Sequence, residues 1–338
     1  MSSSANDSTT NADDFLFQHL KLSSKEIRSK RKDYTTSCSS CFTSNEDLGR
    51  PLRRCSKCQV ASYCSTECQT RHWPEHKKTC GETDVPKLMP KLVRTLISNP
   101  ILLLQLQSCF VLACNLLQHA RCDEFLFARL DVAIEPASIV DFADIFLGKG
   151  TSKTTVPGML QVNAFVSATE PEISSPQRRA LWQDERTKAD ADGLHAHVVA
   201  VVGIVYADAQ MALSVPLRIP PELMKLMPEW ISRGLKMPSG IPGETITLPY
   251  SIENCLQCIN AHIRVDTRNK MLLRTEMRPP EMKYIRDAGT NTRSGPAIIL
   301  HDKIAREYIY ASIYQTFLER RKKFTGVAPP NTRKVEAG

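Results

Sequence analysis

The chain lacks an apolar run after Met1. Ser2-Ser3-Ser4-Ala5-Asn6-Asp7-Ser8 opens a polar tail, which predicts no secretory leader, an intracellular setting and a first dozen residues without packed structure. It also lacks an uninterrupted stretch of the ~20 apolar residues that a membrane span needs. The most apolar segment, residues 101–117, is broken by Gln105, Gln107, Ser108 and Asn115, so a buried core helix is expected and no membrane span. Gly148-Lys149-Gly150-Thr151 lacks the Gly-Lys-Ser/Thr order of a phosphate loop, and Asp190-Ala191-Asp192-Gly193 lacks the remaining ligands of a calcium loop. No internal repeat is evident. The formal charge of +8 is spread, with eight Lys/Arg against four Asp/Glu over residues 301–338, and it outlines no dedicated nucleic-acid surface.

Cysteine is what the chain has in concentrated form. Residues 38–80 hold seven cysteines and two histidines, spaced Cys38-x2-Cys41-x13-Cys55-x2-Cys58-x5-Cys64-x3-Cys68-x7-His76-x3-Cys80. Seven cysteines would leave one without a disulfide partner, whereas seven and one histidine fill two tetrahedral sites of four donors. Eight protein donors leave no open position for water or substrate, so the expected cofactors are two structural Zn²⁺. His72 is a spare donor, and the three-residue gap before Cys80 favours His76. A segment this short buries too little apolar surface to fold alone, and zinc can supply about 10–16 kcal/mol per structural site. Spacing leaves open whether the eight donors divide sequentially or interleave.

The ligand order, with Ala61-Ser62-Tyr63-Cys64-Ser65, Cys68-Gln69, Trp73 and His76-Lys77-Lys78-Thr79-Cys80, resembles a MYND-type zinc finger. The resemblance implies interleaved ligation: Cys38, Cys41, Cys64 and Cys68 on one zinc, and Cys55, Cys58, His76 and Cys80 on the other. It also implies a protein-interaction module, with transcriptional regulation as one setting. The partner would be a short proline-containing peptide of another protein, commonly Pro-x-Leu-x-Pro, with Gln69 and Trp73 at positions associated with peptide contact. Trp suits that role physically, because a flat aromatic can hold proline rings whose extended backbone is already formed. Some MYND fingers interrupt SET lysine methyltransferases. This chain has no Asn-His pair to match their catalytic segment, so that activity is disfavoured.

The expected organisation is a mostly disordered polar and basic tail over residues 1–33, the finger over 34–85, a region of no recognised family over 86–325, and a flexible tail over 326–338. Arg28-Ser29-Lys30-Arg31-Lys32 reads either as a nuclear-import patch or as a solvated surface, so nucleus and cytoplasm stay open. The larger region reads as mainly helical with a small sheet, giving an α+β chain. Helices are expected over 87–98, from 101 to about 117, along Ile252, Cys255, Leu256, Ile259 and Ile263, and along Ala305, Ile309, Ile313 and Phe317. Strands are expected over 159–166, 194–206 and 211–219, and residues 169–193 read as a long surface loop.

Two constellations outside the finger bear on chemistry. Cys255-x2-Cys258-x3-His262 could present three donors from one helix face, although no fourth stands nearby and buried cysteine is the plainer reading. His195 and His197 would share one face of the expected strand, the first place to look if residues 86–325 hold an enzyme of unknown reaction. The expected function is a non-enzymatic zinc-binding adaptor. The alternatives are that unread enzyme, or a finger that serves only to brace its own chain.

Overall fold

The computed structural model describes residues 20–325, apart from 34–37, 42, 46, 59–60, 79, 81–87, 150–154, 168–174, 207–210, 240–242 and 291–294. The expectations for both chain tails therefore fall largely outside the described residues.

In chain order, the finger and the segment before it contain α1 (Ser24–Asp33), β1 (Arg53–Arg54), β2 (Ser62–Tyr63) and α2 (Thr66–His76). Next come α3 (Met89–Ser98), α4 (Pro100–Ala113), β3 (Leu126–Pro136), α5 (Ile139–Phe146), β4 (Pro157–Ser167), α6 (Pro176–Ala191), β5 (Val198–Tyr206) and β6 (Met211–Ile219). The remainder is α7 (Pro221–Arg233), β7 (Leu235–Pro238), β8 (Thr245–Leu248), α8 (Ile252–Val265), β9 (Arg274–Glu276), α9 (Pro279–Gly289), α10 (Gly295–Arg306), a 3₁₀ turn at Tyr308–Tyr310 and α11 (Ala311–Thr325). The chain is α+β. It divides into two compact units, Met1–Ile134 with Met159–Thr275, and Glu135–Gly158 with Glu276–Gly338.

The first unit is built on a mixed sheet of order β6-β5-β3-β4-β9. β5 is buried at every position, as its unbroken Val-Val-Ala-Val-Val-Gly-Ile-Val-Tyr run requires of a strand covered on both faces. It lies parallel to β3, Ala200 opposite Leu126, and antiparallel to β6, Val202 opposite Val215. The apolar segment 101–117 is largely α4, which meets α3 at a bend of 84° where Asn99-Pro100 breaks the first helix. Among the described residues no single helix is long and apolar enough to cross a membrane, and only the bent α3–α4 pair reaches that composition. Two of the polar residues that interrupt the run are built in: Gln107 Nε2 donates to Arg218 O at 2.7 Å and Ser108 Oγ to Leu104 O at 2.9 Å. α8 packs its Cys255, Leu256, Ile259 and Ile263 stripe inward. From the same helix, Asn260 pairs with the backbone of β4 as another strand would, accepting from Val162 N and donating to Val162 O, each at 2.8 Å.

Three expectations are corrected here. Residues 176–191 are not loop but α6, a polar helix without an apolar stripe, fixed instead by hydrogen bonds. Trp182 Nε1 donates to Val199 O at 2.9 Å, and the buried Arg186 donates to His197 O at 2.5 Å and Leu194 O at 3.0 Å. The strand that was to carry His195 and His197 starts only at Val198, which places both histidines in the preceding turn. The C-terminal stripe is two helices, because Glu307 and the Tyr308–Tyr310 turn separate Ala305 from Ile313. In the second unit, Phe142, Phe146, Tyr310 and Phe317 form the aromatic core. The fully buried Glu135 carboxylate accepts there from Lys303 Nζ at 2.5 Å and from the Tyr310 hydroxyl.

Candidate metal centre and interaction face

Both donor groups are assembled from turns and one helix. Cys38 N donates to Thr43 O at 3.0 Å and Cys55 N to Ala61 O at 2.9 Å, so each Cys-x2-Cys pair sits on a tight turn with its sulfurs converging. Ser65 caps α2, its hydroxyl accepting from Cys68 N at 3.3 Å, which fixes where the helix begins. Cys68 and His76 are eight residues apart on that helix, about 12 Å along its axis and on one face. One short helix therefore contributes a donor to each site.

The donor atoms of Cys38, Cys41, Cys64 and Cys68 lie within 4.8 Å of one another, and so do those of Cys55, Cys58, His76 and Cys80. This is the interleaved division. His72 belongs to neither group; its Nδ1 shares a 3.0 Å hydrogen bond with the Tyr63 hydroxyl, and its ring stacks on His76 at 5.7 Å between centroids. Around the sulfurs there is almost no other core. The buried cluster consists of the cysteines with Ala61 and Tyr63, and Leu52 packs against it.

The donor chemistry fits a divalent cation. Burial pushes the Cys41 thiol up, but hydrogen bonds with Thr43 and the sulfurs of Cys64 and Cys38 outweigh it and bring it down to about 6. Hydrogen bonds to Cys41 and Cys68 push Cys64 up to about 12. In the second group burial pushes Cys55 up too, yet the Cys58 backbone and His76 side chain bring it down to about 6, while burial and then Cys55 push Cys80 up to about 11. Sulfurs this close cannot all ionise on their own, and Zn²⁺ removes that conflict by binding every one as thiolate.

Gln69 and Trp73 project from one side of α2, four residues apart. Trp73 is 43% exposed, with its ring 5.9 Å from His76. The strand beside them offers less. Ser62 pairs across β2 with Arg54, and its own backbone is engaged on the other side by Ser39, through Ser39 N to Ser62 O at 2.7 Å and Ser62 N to Ser39 Oγ at 3.2 Å.

The other constellations do not assemble. Among the described residues the two groups in the finger are the only sets of three or more metal-type donors. His262 Nδ1 donates to Cys258 O at 3.1 Å, and burial brings its pKa down to about 4, leaving a half-buried neutral ring against its own helix. Exposed His195 meets Asp190, Nδ1 to Oδ1 3.0 Å, and the same carboxylate takes Arg186 at 2.7 Å; this is a tie at the end of α6.

Residues 38–80 match the MYND finger. Residues 86–310, two thirds of the chain, match a family described as a domain of unknown function, DUF8205. The chain belongs to the DUF8205 family. Curated relatives align elsewhere, along the finger segment. A SET and MYND domain-containing protein of Dictyostelium discoideum is 36% identical over 74 residues, 19% of this chain and 14% of that protein. Human histone-lysine N-methyltransferase SMYD3 is 41% identical over 61 residues, 18% of this chain and 13% of its own length. Human N-lysine methyltransferase SMYD2 is 44% identical over 44 residues, 13% and 9% respectively. This DUF8205 chain thus covers no more than about a seventh of any of these three relatives. No solved structure matches it.

Proposed function

We propose that this protein is a zinc-braced interaction adaptor whose finger takes a short proline-containing peptide of a partner protein on the Gln69 and Trp73 face of α2. Cys38, Cys41, Cys64 and Cys68 ligate one zinc, and Cys55, Cys58, His76 and Cys80 the other, as structural ions. Zinc supplies the cross-links that hold the finger's turns to α2; nothing chemical is asked of it. The chain's own residues do the recognition. The observation that carries this reading is the exposure of Trp73 on a helix tied at both ends by metal ligands, since a large aromatic left in solvent on a rigid support is what a proline-binding surface needs. Gln69, one turn away and half-buried, supplies an amide donor and acceptor to the peptide backbone.

A reducing intracellular compartment suits a chain of twelve cysteines, none disulfide-bonded. The methyltransferase activity in the names of SMYD2 and SMYD3 belongs to those proteins; the segment held in common is the finger. The test is calorimetric titration of the zinc-loaded full chain with a Pro-x-Leu-x-Pro peptide. Trp73→Ala should weaken binding at least tenfold, as loss of an interface aromatic does, while zinc content stays at two. Equal binding by wild type and Trp73→Ala, or no binding by wild type, refutes the reading.

A further inference from the structure

We propose that Arg71 and Arg50 are positioning residues of the four-cysteine zinc centre, holding it by supplying the positive charge that its thiolates call for. The two donor groups differ in charge. Four thiolates outweigh one Zn²⁺ by two charges, whereas three thiolates and a neutral imidazole outweigh it by one. The four-cysteine group is also the more open: Cys41 and Cys64 are half-buried, while all four donors of the other group are buried. Excess negative charge close to solvent needs donors and cations around it, and groups in that outer position change metal affinity by about 10–100-fold.

The surroundings of the two groups follow that difference. At the first, Arg71 Nη2 donates to Cys68 Sγ at 3.8 Å, Arg50 Nη2 donates to Cys64 O at 2.9 Å, and Thr43 Oγ1 lies 3.2 Å from Cys41 Sγ. A thiolate can only accept, so hydroxyl and guanidinium both act as donors to sulfur when the site is loaded. At the second, rings enclose the ligand His76: the centroids of Tyr63, His72 and Trp73 stand 6.1, 5.7 and 5.9 Å from its own.

Local structure places both arginines. Arg71 follows Cys68 by three residues on α2, the spacing at which side chains are neighbours on a helix. Arg50 is carried to Cys64 by the long loop between Cys41 and Cys55. That loop is fastened by Ser44 and Asp47, Oγ to Oδ2 2.6 Å, and turns at Gly49, whose φ of +60° favours glycine. Both guanidinium groups are exposed, and among the described residues neither forms an ion pair, although Glu67 stands one turn before Arg71 on α2. The inference rests on the zinc ligation proposed above and is independent of the peptide face.

The test follows zinc transfer from the loaded full chain to excess chelator, after native mass spectrometry has counted the bound metal. A wild type that does not hold two zincs refutes the ligation, and this inference with it. Arg71→Gln should lose one of its two zincs about tenfold faster than wild type and keep the other at the wild-type rate. Arg71→Lys retains the charge and should recover most of that loss. The gap between Arg71→Gln and wild type should shrink as salt rises from about 0.05 M to about 1 M. Arg50→Gln should speed release of the same zinc, while Lys236→Gln, an equal charge change on exposed β7 sequence, should not. The deciding background is Cys38→Ser with Cys41→Ser, where the four-cysteine centre is broken and Arg71→Gln should change nothing. The inference is overturned if Arg71→Gln releases zinc like wild type, loses both zincs together, or speeds the remaining zinc in that background. It is equally overturned if Arg71→Lys and Arg71→Gln behave alike with no dependence on salt, the mark of a side chain that only packs.

Discussion

His262 shows how a residue singled out for one chemistry can be retained for another. Its spacing from Cys255 and Cys258 suggested metal, yet it sits half-buried with Nδ1 donating to a carbonyl and its pKa brought down to about 4 by burial, with Lys21 opposing its charge as well. The unfolded chain titrates this histidine near its ordinary 6.5. Above pH 6.5 the ring is neutral in both states and its contribution to stability is complete. As pH falls from 6.5 towards 4, the unfolded chain takes up a proton that the folded one refuses, and stability is lost. By pH 4.5 the loss is roughly 2 kcal/mol. Zinc thiolates are also stripped in acid, so the measurement is a comparison: urea unfolding of wild type and His262→Gln at pH 7 and pH 4.5. The variant should lose about 2 kcal/mol less across that interval. An identical acid limb would show that His262 takes up its proton as readily in the folded chain as in the unfolded one, and would refute the shift. Residues of this kind were poorly legible. The zinc donors announced themselves through local spacing, whereas Glu135, Lys303 and Tyr310 meet across more than 160 positions, and nothing in the residues beside Lys303 marks it as buried.

At the scale of elements, patterning was legible where packing follows periodicity and silent where it does not. β5 and β6, α4 and α8 carry apolar runs or stripes, and the structure places helices and strands there. α6 was hidden because its attachment is polar: Trp182, Arg186 and Arg218 reach backbone or carboxylate groups that a periodicity search does not weigh. β3 was hidden as well, since the sequence Leu-Phe-Ala-Arg-Leu-Asp-Val-Ala-Ile-Glu-Pro mixes charges into a buried strand, with Glu135 met by partners distant in the sequence. The fit between β3 and β5 is nonetheless close. Gly203 lies opposite Arg129, and a Cβ placed on it would stand 2.6 Å from Phe127 Cζ and 3.0 Å from Cε2. The Arg178 guanidinium covers the same ring at 4.2 Å, which limits where the ring can go. Gly203→Ala should therefore destabilise by about 1–3 kcal/mol, read as a lower denaturation midpoint at unchanged slope. Phe127→Leu in the same chain should recover part of that loss. A Gly203→Ala chain as stable as wild type would mean that the sheet yields there at no cost.

For the whole molecule, the finger is the part whose stability comes from outside the amino acids. Among the described residues its buried apolar side chains, apart from the ligands, are Ala61 and Tyr63, against a zinc contribution of about 10–16 kcal/mol per site. The larger region has its own apolar core in β5, α4 and α8. Chelation should accordingly release two Zn²⁺ per chain and remove the finger's structure while the larger region keeps a cooperative unfolding transition. The interleaving has a sharper consequence. Because Cys38 belongs to one donor group and Cys55 to the other, a chain with both Cys38→Ser and Cys55→Ser has two broken sites and should retain no tightly bound zinc in native mass spectrometry. Cys38→Ser with Cys41→Ser breaks one group alone and leaves the second with all four donors. If the donors were shared sequentially, Cys38 with Cys41, Cys55 and Cys58, both double variants would keep one zinc. Some weakening of the surviving site in the Cys38 and Cys41 variant is expected even so, because Cys68 and His76 stand on the same short helix, and a helix loosened at one end holds its other ligand less well. That coupling is what makes α2 a rigid platform for Trp73, so zinc affinity and peptide affinity should fall together along the series.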